Sequence, residues 1–273
     1  MTVQIGCDPE FFMVDSKSGT VQSAVGIVGG TKQKPLPIKD FPKGYMVHED
    51  NVLVELGIPP TTNSRTFATR ISDAMAGINN MLPEGKVLST SLTSHTFTRK
   101  QLNNKQAREI GCETDNDAYD GGNSRSSLPD LGLIRHAGGH VHISGDFNCP
   151  KFIAALLCDV YLTIPMMQHY GTHDRDTQRK QWYGKPGIFR EKSYGIEYRT
   201  PSNSWVSSTN SLQFVGIQAL WLGKTLEEES ADMLRKKVNL IPWASVQDVI
   251  MTPTENKVSD LYYRLCEFIR LFP

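Results

Sequence analysis

Four short segments of this chain each set two ionisable or metal-capable side chains two residues apart among apolar neighbours. They are Gly6-Cys7-Asp8-Pro9-Glu10-Phe11-Phe12, His48-Glu49-Asp50-Asn51-Val52-Leu53-Val54-Glu55, Gly138-Gly139-His140-Val141-His142-Ile143-Ser144 and Gly195-Ile196-Glu197-Tyr198-Arg199-Thr200-Pro201. Residues two apart in a strand share a face. Strict alternation therefore predicts Asp8, Glu10, Glu49, Asn51, Glu55, His140, His142, Glu197 and Arg199 on one side. Cys7, Phe11, Val52, Val54, Leu56, Val141, Ile143, Ile196 and Tyr198 fall on the other, and so do His48 and Asp50 unless a bulge intervenes. Isolated buried charges are too costly to serve as packing residues, so neighbouring strands of this kind would form the wall of a site for a cationic ligand.

Asp8, Glu10, Glu49, Glu55 and Glu197 supply five carboxylates, hard oxygen ligands suited to Mg²⁺ or Mn²⁺, and His140 adds an imidazole that favours Mn²⁺. One Mg²⁺ does not use five protein carboxylates, whereas two or more ions bridging a polyphosphate would. Arg175, Arg179, Lys185, Arg190 and Arg199 follow close together, and arginine forks match phosphate oxygens. Carboxylates for metal beside arginines for phosphate are the parts of ATP-dependent phosphoryl transfer. There is no Gly-rich Walker loop.

The elements that must position these residues are legible in part. A strand is predicted over 3–14, a turn at Asp15–Gly19, a returning strand from Val21 to Val28, and a single polar strand over 46–56. Phe67, Ile71, Met75, Ile78 and Leu82 repeat at helical spacing, which predicts a helix over 64–82. A strand follows near 86–97. Residues 101–135 are polar and aperiodic and read as an active-site flap, with Asp115, Asp117 and Asp120 as candidate contacts for an amine. An apolar helix is expected from Pro150 to Tyr170 with a kink at Pro165, and further helices at 209–223, 227–238 and 255–271. The 273 residues balance 29 Lys+Arg against 29 Asp+Glu, which argues against general nucleic-acid binding. No leader or membrane span is expected, and five scattered cysteines read as reduced thiols, so the expected location is a cytoplasm. With no repeat or linker, one domain over 1–273 is expected.

The four segments, in their order, resemble the metal-binding strands of the glutamine synthetase superfamily. Asp8 stands where that family commonly has Glu. Glu49-Asp50-Asn51, Gly29-Gly30-Thr31-Lys32 and Tyr183-Gly184…Arg190…Tyr194-Gly195-Ile196-Glu197-Tyr198-Arg199 resemble more closely the phage-type carboxylate–amine ligases (amidoligases, type 2). The resemblance spans roughly residues 5–205 and implies an α+β fold. That fold is a curved, mostly antiparallel sheet with helices on the convex face and the reaction in the concave one.

The resemblance further implies an ATP-dependent ligase, in the host cytoplasm if phage-encoded, joining a small-molecule or peptide carboxylate to an amine through an acyl phosphate. A homo-oligomer is allowed. Glu10, Glu49 and Glu55 would hold one metal ion, and Asp8, His140 and Glu197 another. His142, Arg190 and Arg199 would meet phosphate oxygens with help from Lys185 and Arg179, and Asn51 would orient an acid or a water. Three other readings stand beside it: a phosphagen-kinase-like N-phosphotransferase, a His-x-His metal hydrolase or cupin-like oxygenase, and a non-catalytic binding module.

Overall fold

A computed structural model describes residues 2–108, 114–124, 132–171 and 174–269, without the side chains of residues 174 and 175. The chain is α+β, built on a large, unclosed antiparallel sheet with 11 strands among the described residues. Six strands carry the argument: β1 (Gln4–Asp15), β2 (Met46–Asp50), β3 (Leu53–Gly57), β4 (Gly139–Ser144), β5 (Ile188–Lys192) and β6 (Gly195–Tyr198). Their order across the sheet is β2-β3-β1-β4-β6-β5. Short strands at Leu36–Pro37, Asn116–Asp117 and Asn123–Ser124 extend the two edges, while Val21–Gln22 and Lys86–Ser89 pair with the far half of β1. The returning strand expected from Val21 to Val28 is thus only two residues long.

One face of the sheet is apolar. Ile5, Cys7, Phe11, Val47, Val54, Leu56, Val141, Ile143, Phe189, Ile196 and Tyr198 are buried there in the main core. Helix α1 (Ser64–Met81) packs against helix α3 (Thr209–Glu228), and α3 lies against β1 and β4. Asn63 caps α1 by accepting the Thr66 N–H, which explains why the periodic stretch starts where it does. The C-terminal helices Ala231–Leu240, Trp243–Met251 and Glu255–Phe268 complete this layer. Trp243–Met251 is one helix more than the sequence periodicity suggests.

The apolar stretch after Pro150 forms one continuous helical run, α2 (Lys151–Tyr170), long and apolar enough to cross a membrane. Most of it is buried inside the fold, so it is a core helix. Its middle, Asp159–Thr163, is a π-helical segment. Pro165 lacks an N–H and leaves the Tyr161 carbonyl without its helical partner. The fully buried Gln218 of α3 donates its Nε2 to that carbonyl at 2.9 Å. The distortion is therefore satisfied by hydrogen bonding, as a buried backbone acceptor requires.

The π segment also aims Asp159 at the back of the sheet. Its carboxylate accepts the Tyr198 hydroxyl, the Tyr119 hydroxyl at 2.9 Å and the Gly187 N–H at 3.1 Å. Tyr198 lies between Glu197 and Arg199, so this buried acid anchors β6 from behind. Burial pushes the Asp159 carboxyl up to about 7, against the pull of these three donors. A carboxyl raised in the folded state adds stability that is complete below about pH 4, where the unfolded chain begins to ionise. That stability is lost as pH rises through about 7. The thermal midpoint of wild type minus that of Asp159→Asn should fall across this interval and level off above it. A difference independent of pH would contradict the ionisation.

Candidate functional site

The other face of the same strands is charged, and the antiparallel register orders the charges. Arg190 of β5 lies opposite Glu197 of β6, and Glu197 opposite His142 of β4. His140 lies opposite Asp8 of β1, Glu10 opposite Glu55 of β3, and Glu55 opposite His48 of β2. Directly opposite residues have side chains within contact of one another. The face therefore runs from a basic end at β5 to an acidic end at β2 and β3.

At the basic end Glu197 is ringed by cations. Its Oε1 meets the guanidinium of Arg199 closely and that of Arg190 at 3.5 Å, and its Oε2 lies 2.7 Å from Lys192 Nζ. Asp115 holds the two arginines from their far side, at 3.0 Å to Arg190 Nε and 3.1 Å to Arg199 Nε. Tyr183 accepts from Arg199 Nη2 and meets His140 Nε2, each at 2.7 Å. Burial and Asp8 would raise the Glu197 carboxyl, but Arg199, His140 and His142 outweigh them and hold it at about 2.

In the middle, one oxygen of Asp8 lies 3.2 Å from His140 Nδ1 and 3.0 Å from His142 Nε2. Burial opposes ionisation of Asp8, yet His142 and His140 hold its carboxyl well below the usual range. Burial works against a charged His142 as well, and Asp8 more than compensates. The Tyr194 hydroxyl reaches His142 Nδ1 at 2.6 Å, and the two rings stack.

At the acidic end Glu10, Asp50 and Glu55 each bring a carboxylate oxygen within 4.8 Å of the others. Glu10 accepts the Gly138 N–H at 2.6 Å. A side chain at Gly138 would collide with the His140 ring, and one at Gly139 would collide with the Ser202 carbonyl. The Gly138-Gly139 pair thus permits the close packing beside these carboxylates. Burial, followed by the charges of Asp8, Asp50 and Glu10, pushes the Glu55 carboxyl well up, and burial raises Glu10. Burial also lowers His48, which lies 3.6 Å from Glu55.

The membership of this end differs from the sequence expectation. Residues 46–57 do not form one strand. They form a hairpin with a two-residue turn at Asn51-Val52, in which Asn51 adopts a left-handed φ of 58°. The turn reverses the parity, so Glu55 shares its face with His48 and Asp50 rather than with Glu49. Glu49 instead accepts the N–H groups of Ile27, Val28 and Gly29 on Oε1, at 3.0, 3.0 and 2.7 Å, and Gln106 Nε2 on Oε2. Asn51 is a turn residue whose side chain accepts from Arg135 Nε.

Other expected residues fall outside this charged face or take different parts. Arg179 is fully buried and donates to the carbonyls of Thr200 and Pro201, each at 3.0 Å, while lying over the Tyr183 ring. It braces the backbone after Arg199 and does not face a phosphate. Lys185 contributes its carbonyl, which accepts from Thr200 Oγ1. The Arg175 side chain lies outside the described residues. Asp117 caps the Tyr119 N–H. Parts of the expected flap, residues 109–113 and 125–131, also lie outside.

His48, Asp50, Tyr183, Lys192 and Tyr194 were not assigned roles from sequence, and Asp115, expected as a contact for an amine, instead pairs with Arg190 and Arg199. Lys192 could have been found, because it shares a strand face with Arg190 at a spacing of two. Asp115 carries no local signal, since it reaches the arginines from a loop.

The all-oxygen set Glu10, Asp50 and Glu55 fits a hard divalent cation such as Mg²⁺ or Mn²⁺. The charge crowding that lifts Glu55 is what such an ion would relieve. Asp8, His142 and Glu197 also bring ligand atoms within 4.8 Å of one another, but Lys192 must move off Glu197 for an ion to bind there. The ring nitrogens of both histidines have neighbours, Asp8 and Tyr183 at His140 and Asp8 and Tyr194 at His142.

The buried sheet face thus carries clustered carboxylates at one end and arginines at the other. Residues 135–244 match the family model described as phage phiEco32-like COOH.NH2 ligase-type 2, and the resemblance read from the sequence is to that family. The matched span carries β4, β5 and β6; the strands bearing Asp8, Glu10, Asp50 and Glu55 lie before it. No curated protein matches this chain.

Arg179→Met should lower the free energy of unfolding in urea by about 3 kcal/mol, because it strips the buried Thr200 and Pro201 carbonyls of their donor. Mn²⁺ affinity should stay as in wild type. A stable variant with altered ion binding would return Arg179 to the site.

Proposed function

We propose that this protein is an ATP-dependent ligase that joins a carboxylate to an amine. The observation that carries the reading is the charge order on one sheet face. A carboxylate cluster fit for a divalent cation stands at one end, and Arg190, Arg199 and Lys192 converge at the other. The family match supports the same chemistry.

In this reading a substrate carboxylate oxygen attacks the γ-phosphorus of ATP. The bond from that phosphorus to the β–γ bridging oxygen breaks, giving an acyl phosphate and ADP. The amine then attacks the acyl carbon, phosphate leaves, and the nitrogen loses a proton as the amide forms. Arg190 and Arg199 neutralise the phosphoryl oxygens during transfer. Asp115 and Tyr183 fix those guanidinium groups, so little reorganisation accompanies the reaction. Glu10, Asp50 and Glu55 would hold one divalent ion, and Asp8, His142 and Glu197 a second. Such ions supply charge neutralisation for the polyphosphate.

The test is a pairwise screen of carboxylic acids and amines for ADP release in the presence of Mg²⁺ or Mn²⁺. Turnover is expected only with both substrates present. Arg199→Ala should reduce it by at least about a thousandfold, with circular dichroism confirming the fold. A phosphorylated product that persists without an amine would point to a kinase. Asp50→Asn should weaken Mn²⁺ binding by about tenfold, because ligand charge sets affinity; an unchanged titration would remove the acidic cluster from the metal site.

A further inference from the structure

Of the three cations around Glu197, Lys192 is the one that can move. Arg190 and Arg199 are buried and each is tied to two acids, Glu197 and Asp115, and Arg199 also donates to Tyr183. Lys192 meets Glu197 Oε2 at 2.7 Å with a side chain that is 28% exposed. A lysine carries a compact charge on a flexible stem, whereas a guanidinium gripped by two carboxylates is fixed. The acid next to it, Glu191, lies opposite Ile196 and therefore on the other face, 3.7 Å from Lys151.

The place that Lys192 takes has a chemical meaning. Arg199 and Arg190 share Glu197 Oε1, which leaves Oε2 as the oxygen able to accept a new partner. Glu197, Asp8 and His142 bring ligand atoms within 4.8 Å of one another. Lys192 and a divalent ion on these three residues thus compete for the same carboxylate. Charge decides what must accompany the exchange. Arg190, Arg199 and Lys192 already outnumber Glu197 and Asp115, while Asp8 is met by His140 and His142. A further double charge at this end is unfavourable by itself. It becomes favourable with a polyphosphate, and the ammonium released from Glu197 stands beside the oxygens of that anion.

We propose that Lys192 is a phosphate-binding residue with two positions. It pairs with Glu197 until a divalent ion takes that carboxylate, and then meets a phosphate oxygen of the nucleotide. This second ion is therefore conditional and binds well only together with polyphosphate, whereas the ion at Glu10, Asp50 and Glu55 binds alone. The proposal rests on the metal and nucleotide reading above and adds an order of events to it.

The test uses the full chain and two probes: Mn²⁺ alone, counted by equilibrium dialysis, and the Mn²⁺ complex of a non-hydrolysable ATP analogue. Wild type should take up one ion readily and a second only with the analogue. Lys192→Met removes the competing charge, so the second Mn²⁺ should bind without nucleotide about tenfold more tightly than in wild type. The same variant should bind the metal–nucleotide complex about tenfold more weakly, because a charge-assisted hydrogen bond is lost. Opposite signs for the two probes do not arise from a general loss of structure. Lys192→Arg keeps the charge and should restore most of the nucleotide affinity. Adding Asp8→Asn to Lys192→Met should cancel the gain in Mn²⁺, which separates this ion from the one at the acidic end.

Unchanged Mn²⁺ binding in Lys192→Met would overturn the proposal. A gain in Mn²⁺ with wild-type affinity for the complex would also overturn it, since Lys192 would then be a competitor and nothing more. In both cases a wild type that binds Mn²⁺ and releases ADP keeps the ligase reading. A wild type that binds neither Mn²⁺ nor the nucleotide complex overturns that reading itself.

Discussion

The site depends on the pairing of opposite charges across adjacent antiparallel strands. A face carrying Asp8, Glu10, Asp50, Glu55 and Glu197 would be prohibitively costly to bury if each acid stood alone. Register removes most of that cost. Glu197 faces Arg190 on one side and His142 on the other, and Asp8 faces His140. Only towards β3 does the pattern break, where Glu10 faces Glu55. That pair of facing acids, approached by His48 at 3.6 Å and by His140 at 3.9 Å, is where like charges crowd most. The sheet is thus balanced at one end and carries an excess of acid at the other.

The apolar face makes this arrangement rigid. Tyr198 points away from the cavity, yet it lies between Glu197 and Arg199 on the same short strand. Its hydroxyl is held by Asp159 and Thr163, both from the π segment of α2. Asp159 also takes the Tyr119 hydroxyl and the Gly187 N–H, from loops that flank the arginines. A single buried carboxylate therefore joins a helix, a strand and two loops behind the place where the cationic end is assembled. Such over-determination is what keeps catalytic groups in place.

Much of this was legible in the sequence because period-two alternation is a local property. β1, β4 and β6 needed only their own residues to show which side chains share a face, and the α1 periodicity with its Asn63 cap gave a helix. The placement of Glu49 and Asn51 failed for one reason. Residues 46–57 contain no glycine or proline before Gly57, so they read as a single strand. The reversal rests on Asn51, which accepts a left-handed conformation more readily than most residues. Arg179 failed differently. Nothing in its neighbourhood distinguishes a buried brace from a phosphate ligand, because the carbonyls it serves lie about twenty residues further on. The pairing of Asp115 with Arg190 and Arg199, and of Tyr183 with His140 and Arg199, was equally out of reach, since these partners come from other parts of the chain.

The Asn51-Val52 turn carries a consequence for how this chain could diverge. Because side chains alternate, lengthening β2 by one residue next to the turn would exchange inward and outward groups beyond the insertion. Glu49 would then enter the cavity, while His48 and Asp50 would be driven into the oily layer beneath. Adding two residues would restore the original orientation and merely extend the hairpin. Length changes at this corner should therefore be tolerated in even steps and rejected in odd ones, a parity rule imposed by geometry whatever the substrate.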